Sequence, residues 1–457
     1  MKRIMALILV VSSFVLFSDI SSASIKPGTS CSPKGKISIF GGVKYTCVLN
    51  GKKLVWNKGV KVPSSTTTSS STTTTFAAPQ LSSLQDVAPC KLPFGQSINQ
   101  DGGSTGFPLS PYRLPSIGTV HSLMFFVDFT DVAGTDNIAT SLHDFTDQAS
   151  AFYKSQSYGK LNIQFTAYPQ WIHINEKSSK YGMQVHGKGD VLSYLLDAVN
   201  AAKPLIDFSP YDNVYVIPPS TIKQIVFGPT FSPSGWSLFS ANGKSFYVAT
   251  VGGADGWDKF YQWHWTSHET GHQLGISHPF ANGTPADGVS VFDIMDFGGN
   301  FSEVNAPEFI GWSKWLLGWV ADSQVACIDA TSGSTQSLDY MLSPIERTSK
   351  DVHISVIKLN SHTAIVAESR RTEGFDSMSS EYQGVLVYSI DTNINGNVAP
   401  YIPSVKILQQ NPQTINGILV GTLKPGQSVS YRGQTITVLG STAGGDFIHI
   451  SSGPVAG

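Results

Sequence analysis

The chain has 457 residues and a formal net charge of −2 at pH 7, with only 14% charged residues. That length exceeds what a single compact core usually organises, so we expect two or three domains. The 43 glycines and the many serines and threonines favour a β-rich, loop-rich extracellular protein over a helical bundle. We expect no nucleic-acid partner.

The N-terminus has the pattern of a secretory signal. Lys2 and Arg3 precede an apolar run from Ile4 to Phe17, and Ser21-Ser22-Ala23 offers small residues for cleavage. This pattern predicts a signal peptide over residues 1–23. The run is short for a membrane span, which makes an uncleaved anchor the weaker alternative. We therefore expect a secreted or surface-associated protein with no membrane span after cleavage.

Residues 24–62 form a lysine-rich segment. Eight lysines and no acidic residue lie between Ile25 and Lys61, and Cys31 and Cys47 suit a disulfide in an oxidising compartment. We predict a small disulfide-closed β module. The whole chain carries −2, residues 1–23 carry +1 and residues 25–61 carry +8, which leaves −11 for residues 62–457. The module could bind anionic cell-surface polymer; a merely solvated surface is the alternative.

Residues 63–88 contain a run of serines and threonines that predicts a flexible linker. Farther on, Gly102–Gly106 reads GGSTG and formally matches the serine-hydrolase pattern G-x-S-x-G. It lacks the preceding apolar strand and following helix, so we interpret it as a loop.

Residues 89–327 predict a mixed domain in which strands alternate with helices. A buried strand is expected at His121–Phe129, followed by a helix over 137–156 and one or two strands between Leu161 and Ile174. Asp190 is placed to cap a second helix that Pro204 ends. Further strands are expected at Asn213–Pro219 and Ser245–Gly253. The order predicts an α+β domain.

The most specific pattern lies between Tyr261 and Phe280. His268, Glu269, His272, Gly275 and His278 spell H-E-x-x-H-x-x-G-x-x-H. Residues four apart share one face of a helix, so the first two histidines can bind one metal ion. The glycine permits the chain to reverse, which brings back a third histidine and leaves one tetrahedral position open for water.

Chance explains this pattern poorly. A random H-E-x-x-H is expected in roughly 1 such chain in 100, and the glycine and third histidine lower this to about 10⁻⁵. His264 shares the helical face of His268 and His272, but lies about one turn too far along the axis to complete a tetrahedron. We therefore predict zinc ligands at His268, His272 and His278, with Glu269 as the general base.

Met295 follows His278 by seventeen residues, within Val291–Gly299. Here the chain resembles the metzincin metallopeptidases, in which a turn carrying a methionine lies beneath the metal. Ser157–Phe165, Trp312–Val320 and Ala367–Asp376 resemble segments of a narrower group, the immune inhibitor A-like secreted peptidases. The resemblance covers roughly residues 115–400. Some metzincins carry a tyrosine two residues after the methionine, whereas this chain has Phe297, so no tyrosine-assisted step is expected.

Two interpretations compete for Cys90. Its neighbourhood, APCKLP, faintly resembles the segment of matrix metallopeptidases whose cysteine caps the zinc. The even number of cysteines instead favours a disulfide between Cys90 and Cys327, which would join the two ends of the peptidase domain. We prefer the disulfide.

Residues 328–457 change to short alternating segments that predict a β-sandwich-like C-terminal domain. Asp391, Asn393, Asn395 and Gly396 resemble the start of a calcium loop, but Ile402 occupies the position where glutamate is needed. A turn closed by Asp and Asn side chains fits better. The family resemblance implies a structural Ca²⁺ without naming its ligands.

The sequence thus predicts a secreted zinc endopeptidase that hydrolyses peptide bonds of extracellular proteins. Glu269 would take a proton from water that zinc activates and deliver it to the leaving amine. Two alternatives stay open: a zinc hydrolase of a non-peptide bond, and a non-catalytic surface-binding adhesin.

Overall fold

A computed structural model describes residues 27–30, 34, 37–40, 43–61, 80–95, 103–231, 233, 235–258, 261–280, 289–296, 306–376, 380–394, 402–409, 413–415 and 418–455. The predicted signal peptide, Cys31, most of the linker and Phe297 lie outside these residues. The chain divides into two compact units, Met1–Ala77 and Ala78–Gly457. In the described part of the chain, no helix is long and apolar enough to cross a membrane.

The first unit contains a small antiparallel sheet. Its strands are β1 (Ile37–Phe40), β2 (Val43–Asn50), β3 (Lys53–Trp56) and β4 (Val60–Lys61). Strand β2 pairs with each of the other three. Cys47 lies on β2, is buried and is disulfide-bonded. Cys31, the predicted disulfide partner of Cys47, is not among the described residues.

The second unit begins with a six-stranded sheet and three helices. The elements are β5 (Gly118–Phe129), α1 (Ile138–Gln156), β6 (Leu161–Ala167), β7 (Ile172–Ile174), α2 (Val191–Ala202), β8 (Asn213–Ile217), β9 (Thr230–Phe231), β10 (Phe239–Ala241), β11 (Lys244–Phe246), β12 (Ala249–Val251) and α3 (Gln262–Gln273). The strand order is β6-β5-β8-β12-β9, and β7 also pairs with β5. All pairs are parallel except β9 with β12.

Strand β5 shows why helices cover both faces of this sheet. Successive side chains of a strand point to opposite faces, and the run Leu123–Val127 of β5 is apolar at every position. Phe125 contributes to the core that α2 covers, whereas Phe126 contributes to the core formed with Phe145 of α1 and Trp265 of α3. Helices α1 and α3 therefore share one face of the sheet.

The predicted start of α2 is confirmed, and the predicted strand Ser245–Gly253 is wrong. Ser193 donates its backbone N–H to Asp190 at 3.0 Å, so this aspartate caps α2 as predicted. The predicted strand Ser245–Gly253 is instead divided between β11, which pairs only with β10 in a hairpin, and β12, which lies in the main sheet. The predicted strand is divided because its side chains pack in two different cores: Phe246 and Ala249 lie in one apolar cluster and Val248 lies in another.

The remainder of the second unit is rich in strands. It contains α4 (Gly311–Leu316), β13 (Val325–Asp329), β14 (Gln336–Leu342), β15 (Ile354–Lys358), β16 (Thr363–Arg370), β17 (Gly384–Asp391), β18 (Val405–Ile407), β19 (Gln413–Ile415), β20 (Ile418–Val420), β21 (Thr422–Leu423), β22 (Ser428–Tyr431), β23 (Gln434–Thr442) and β24 (Gly445–Ser452). One sheet has the order β13-β15-β16-β17-β18 with β21 beside β17, and another has the order β14-β24-β23-β22. A shared apolar core joins these two sheets.

This strand-rich region is closely joined to the residues that precede it. Cys90 and Cys327 form the predicted disulfide, so Cys90 is not a free thiol that could cap a metal. Cys327 lies on β13, and the proposed domain boundary at residue 327 therefore falls inside a strand. Asn393 donates its N–H to the Asp391 carboxylate at 2.9 Å, which is the side-chain-closed turn expected there.

Candidate metal centre

Helix α3 carries the zinc motif and is buried along its whole length. Polar contacts fix its position against the neighbouring elements. The Tyr153 hydroxyl of α1 donates to the Ser267 carbonyl at 2.6 Å, and the Tyr215 hydroxyl of β8 lies 2.7 Å from Thr270 Oγ1. A buried polar group left without a partner is costly, so these contacts select one register of the helix.

A chain of hydrogen bonds links the sheet edge to the glutamate of the motif. Gln273 Nε2 donates to Thr250 Oγ1 at 2.7 Å, and the Thr250 and Thr230 hydroxyls lie 2.6 Å apart. Thr230 then donates to the backbone carbonyl of Glu269 at 3.1 Å. Strand β9 is therefore tied directly to the turn of α3 that carries Glu269.

The helix ends as the sequence requires. Gly275 has φ +98°, a left-handed conformation that costs glycine little. Its N–H donates to the His272 carbonyl and the Ile276 N–H donates to the Gly271 carbonyl, the pair of bonds that defines a Schellman motif. Ser104 donates its N–H to the Gly275 carbonyl at 2.9 Å, so residues 103–106, the part of GGSTG that the structure describes, brace this turn as a loop.

The reversal brings three imidazole rings together. His278 Nε2 lies 3.0 Å from the Nε2 atoms of both His268 and His272. One ligand atom from each of the three rings lies within 4.8 Å of the others. Among the described residues these three are the group that could hold a metal ion. His264, although buried in the same helix, stacks on Trp263 with a centroid distance of 3.8 Å and lies outside the group.

Backbone carbonyls set the tautomers of two of these rings. His268 Nδ1 lies 2.8 Å from the Ile294 carbonyl, and His272 Nδ1 lies 2.9 Å from the Ile276 carbonyl. A carbonyl only accepts, so each Nδ1 carries the proton and each Nε2 presents a lone pair. Burial lowers the pKa of His272 to about 4, and burial also lowers the pKa of His278. The His272 and His278 rings are thus disposed to be neutral, the form that binds metal.

The arrangement fits a zinc ion. A proton on His278 Nε2 could serve only one of its two neighbouring nitrogens, whereas a cation would be shared by all three. Tetrahedral zinc with nitrogen ligands at about 2.0–2.1 Å separates those nitrogens by roughly 3.3 Å, close to the 3.0 Å seen here. Three imidazoles are also a donor set that borderline-soft Zn²⁺ accepts readily.

Met295 packs against helix α3 at Gly271. It is fully buried, and a Cβ added at Gly271 would lie only 2.3 Å from Met295 Sδ. The close approach explains a glycine inside α3, a position where this residue normally weakens a helix. A glycine inside a helix, beside His272, is the sequence signal for this contact. The distance between His278 and Met295 did not by itself identify Gly271 as the contacting residue.

Sequence reasoning missed a carboxylate next to this methionine. Asp293 is buried, and its two oxygens accept the backbone N–H groups of Met295 at 2.8 Å and Ile310 at 3.1 Å. Burial raises the pKa of its carboxyl to about 7. The only signal in the sequence is an aspartate two residues before the methionine.

A buried ionic cluster was also not foreseen. Arg370 lies 2.9 Å from Glu368, 2.5 Å from Asp376 and 3.3 Å from Glu346. Beside it, Lys314 and Glu308 form a second ion pair at 2.5 Å. Glu368 also accepts the N–H of Gly311, the first residue of α4. The Glu368 carboxylate of β16 thus holds the start of α4 against this strand.

Comparison with known proteins gives little further information. No family model matches the sequence, and no curated protein matches it. Among solved structures, metalloproteinase-II from Bacteroides fragilis is similar at 14% identity, with a TM-score of 0.28. The match covers 47% of this chain and 57% of that one, a little over half of its length.

Proposed function

We propose that this protein is an exported zinc-dependent endopeptidase that hydrolyses peptide bonds of extracellular proteins. The observation that carries the proposal is the convergence of His268, His272 and His278 Nε2 atoms, two of them fixed by backbone carbonyls. A site with three protein ligands and room for water is typical of catalytic rather than structural zinc.

Zinc bound there would act as a Lewis acid on the scissile carbonyl and lower the pKa of a coordinated water. The three imidazoles would hold the ion, and their buried position would limit bulk water around it. Glu269 adjoins His268 in the helix and is only 9% exposed. Its carboxylate would accept the proton of the attacking water and then transfer it to the leaving amine. No covalent intermediate with the protein is expected.

The substrate would lie along β9. In the described sheet this two-residue strand is the outermost on its side, and it is the one that runs antiparallel to its neighbour. An edge strand can pair with an extended peptide through main-chain hydrogen bonds. The bond from Thr230 to the Glu269 carbonyl would align that peptide with the general base.

The test is hydrolysis of casein by the purified protein, with metal content measured by mass spectrometry before and after 1,10-phenanthroline. Glu269→Gln keeps the shape of the side chain but not its basicity, so the variant should retain zinc and lose at least ~10²-fold in rate. The matched control is His264→Gln, which alters a buried histidine of the same helix that lies outside the triad. Hydrolysis that persists in Glu269→Gln, or that ignores the chelator, would contradict the mechanism.

A zinc hydrolase of a non-peptide bond would use the same residues, and ester substrates compared with casein would distinguish it. For the N-terminal module we propose attachment to anionic cell-surface polymer through its lysines, of which Lys34, Lys52, Lys53 and Lys58 are exposed. A non-catalytic adhesin would also use this module.

Among the described residues the histidine triad is the group able to hold a metal, so we assign no calcium ligand.

A further inference from the structure

One peptide group lies between a metal-binding histidine and a buried carboxylate. The Ile294 carbonyl and the Met295 N–H belong to the same peptide unit. His268 Nδ1 donates to the carbonyl end at 2.8 Å, and Asp293 Oδ1 accepts from the N–H end at 2.8 Å. These two hydrogen bonds connect the Asp293 carboxylate, through the peptide group, to the His268 ring.

The carboxylate is held at both oxygens. Asp293 is 1% exposed, and its Oδ2 accepts the N–H of Ile310, the residue that caps the N-terminus of α4. The side chain cannot rotate without breaking a buried hydrogen bond at one end or the other. Its position relative to the peptide unit is therefore fixed by the fold.

We propose that Asp293 is a positioning residue that orients His268 and strengthens it as a metal ligand through the 294–295 peptide. The inference rests on the proposed zinc site. Metal-binding histidines usually donate their second N–H to a carboxylate or carbonyl, which fixes the ring and makes the ligating nitrogen more basic. Here a carboxylate acts on the carbonyl: its charge polarises the peptide, and hydrogen bonds in series strengthen one another.

His272 provides a comparison within the same site. Its Nδ1 also donates to a backbone carbonyl, that of Ile276, at 2.9 Å. The residue before Ile276 is Gly275, which has no side chain that could accept from the following peptide. Both histidines thus donate to a backbone carbonyl, but only the peptide group that accepts from His268 also donates its N–H to Asp293.

The test uses the full chain loaded with zinc and the variant Asp293→Asn. The amide oxygen can still accept from Met295, but the amide NH2 group cannot accept the N–H of Ile310, so the charge is lost together with one of the two buried hydrogen bonds. Measurements at pH 8 keep Asp293 ionised, since burial raises its pKa to about 7. We expect zinc affinity, measured by chelator competition, to fall about 10–100-fold. The control is Asp446→Asn, which neutralises a buried carboxylate bonded to Ser369 and Arg371 and should leave zinc affinity unchanged.

Nuclear magnetic resonance of the ring protons separates this role from a general loss of stability. In the unmodified zinc-loaded protein, the His268 Nδ1–H proton should resonate downfield of that of His272, and in Asp293→Asn only the first should move upfield. The reverse order in the unmodified protein would overturn the inference even if the variant does not fold. If the unmodified protein binds no zinc, the proposed function itself fails. If it binds zinc and the variant binds equally well, only the inference fails.

Discussion

Gly271→Ala tests the contact between the helix and the methionine beneath it. The added methyl group would lie 2.3 Å from Met295 Sδ, 3.1 Å from its Cε and 3.4 Å from Phe309 Cζ. Overpacking of this kind costs about 1–3 kcal/mol. Alanine also favours a helix interior over glycine by about 0.5–1 kcal/mol. The net expectation is a loss of up to ~2.5 kcal/mol in the free energy of unfolding.

The decisive comparison is the same substitution in a Met295→Ala background. With the methionine side chain truncated, the nearest remaining atom of those named is Phe309 Cζ at 3.4 Å, an ordinary contact, so Gly271→Ala should stabilise that protein by about 0.5–1 kcal/mol. The sign of the effect thus reverses between the two backgrounds. Denaturant unfolding of the four metal-free proteins gives the coupling energy, for which we expect about 1–3 kcal/mol. Equal effects of Gly271→Ala in both backgrounds would refute the packing argument.

Two other predictions concern stability. The disulfide between Cys90 and Cys327 spans 237 positions, and loop entropy assigns such a link at most about 5 kcal/mol. The double variant Cys90→Ser with Cys327→Ser should therefore lower the free energy of unfolding by ~2–5 kcal/mol. An unchanged denaturant midpoint would contradict this. Burial raises the pKa of Asp376 to about 6, so the folded chain keeps a proton that the unfolded chain loses above about pH 4. This contribution is complete below pH ~4 and is lost as the pH rises through ~6. Relative to the unmodified protein, Asp376→Asn should therefore gain stability between pH 4 and 6 in denaturant titrations, and a flat difference would exclude the effect. In metal-free protein the lowered pKa of His272, about 4, makes stability rise with pH over the same range. Both proteins carry His272, so its contribution cancels when Asp376→Asn is compared with the unmodified protein.

Local patterns predicted much of the fold around the motif. The alternating and 3.6-residue periodicities located β5, α1 and α2, because each element buries one regular set of apolar side chains. Asp190 marked a helix start for the same local reason. The division between β11 and β12 was not predicted, since it depends on which core receives Val248 and on a pairing with β10. Such choices belong to tertiary packing.

In the candidate metal site, too, local features were predictable from the sequence and tertiary contacts were not. The spacing of the three histidines and the position of Gly275 follow from helix geometry, so the sequence alone indicated that the rings could converge. Asp293 was not predicted, because its role depends on an amide at Ile310 and on a carbonyl that faces His268. Near Arg370, Glu346 comes from a different segment of the chain, and only folding brings the two side chains together.

The bond between Cys90 and Cys327 has a practical consequence for any attempt to isolate the zinc-bearing half. Val325–Asp329 pairs along its whole length with Ile354–Lys358, and Trp312 and Ile310 pack in one apolar cluster with Val366 and Leu386. Expression of residues 89–327 alone would leave that cluster open to water and a strand without its neighbour. Such a truncation should aggregate, whereas a chain that starts just before Cys90 and continues to the end keeps both surfaces covered.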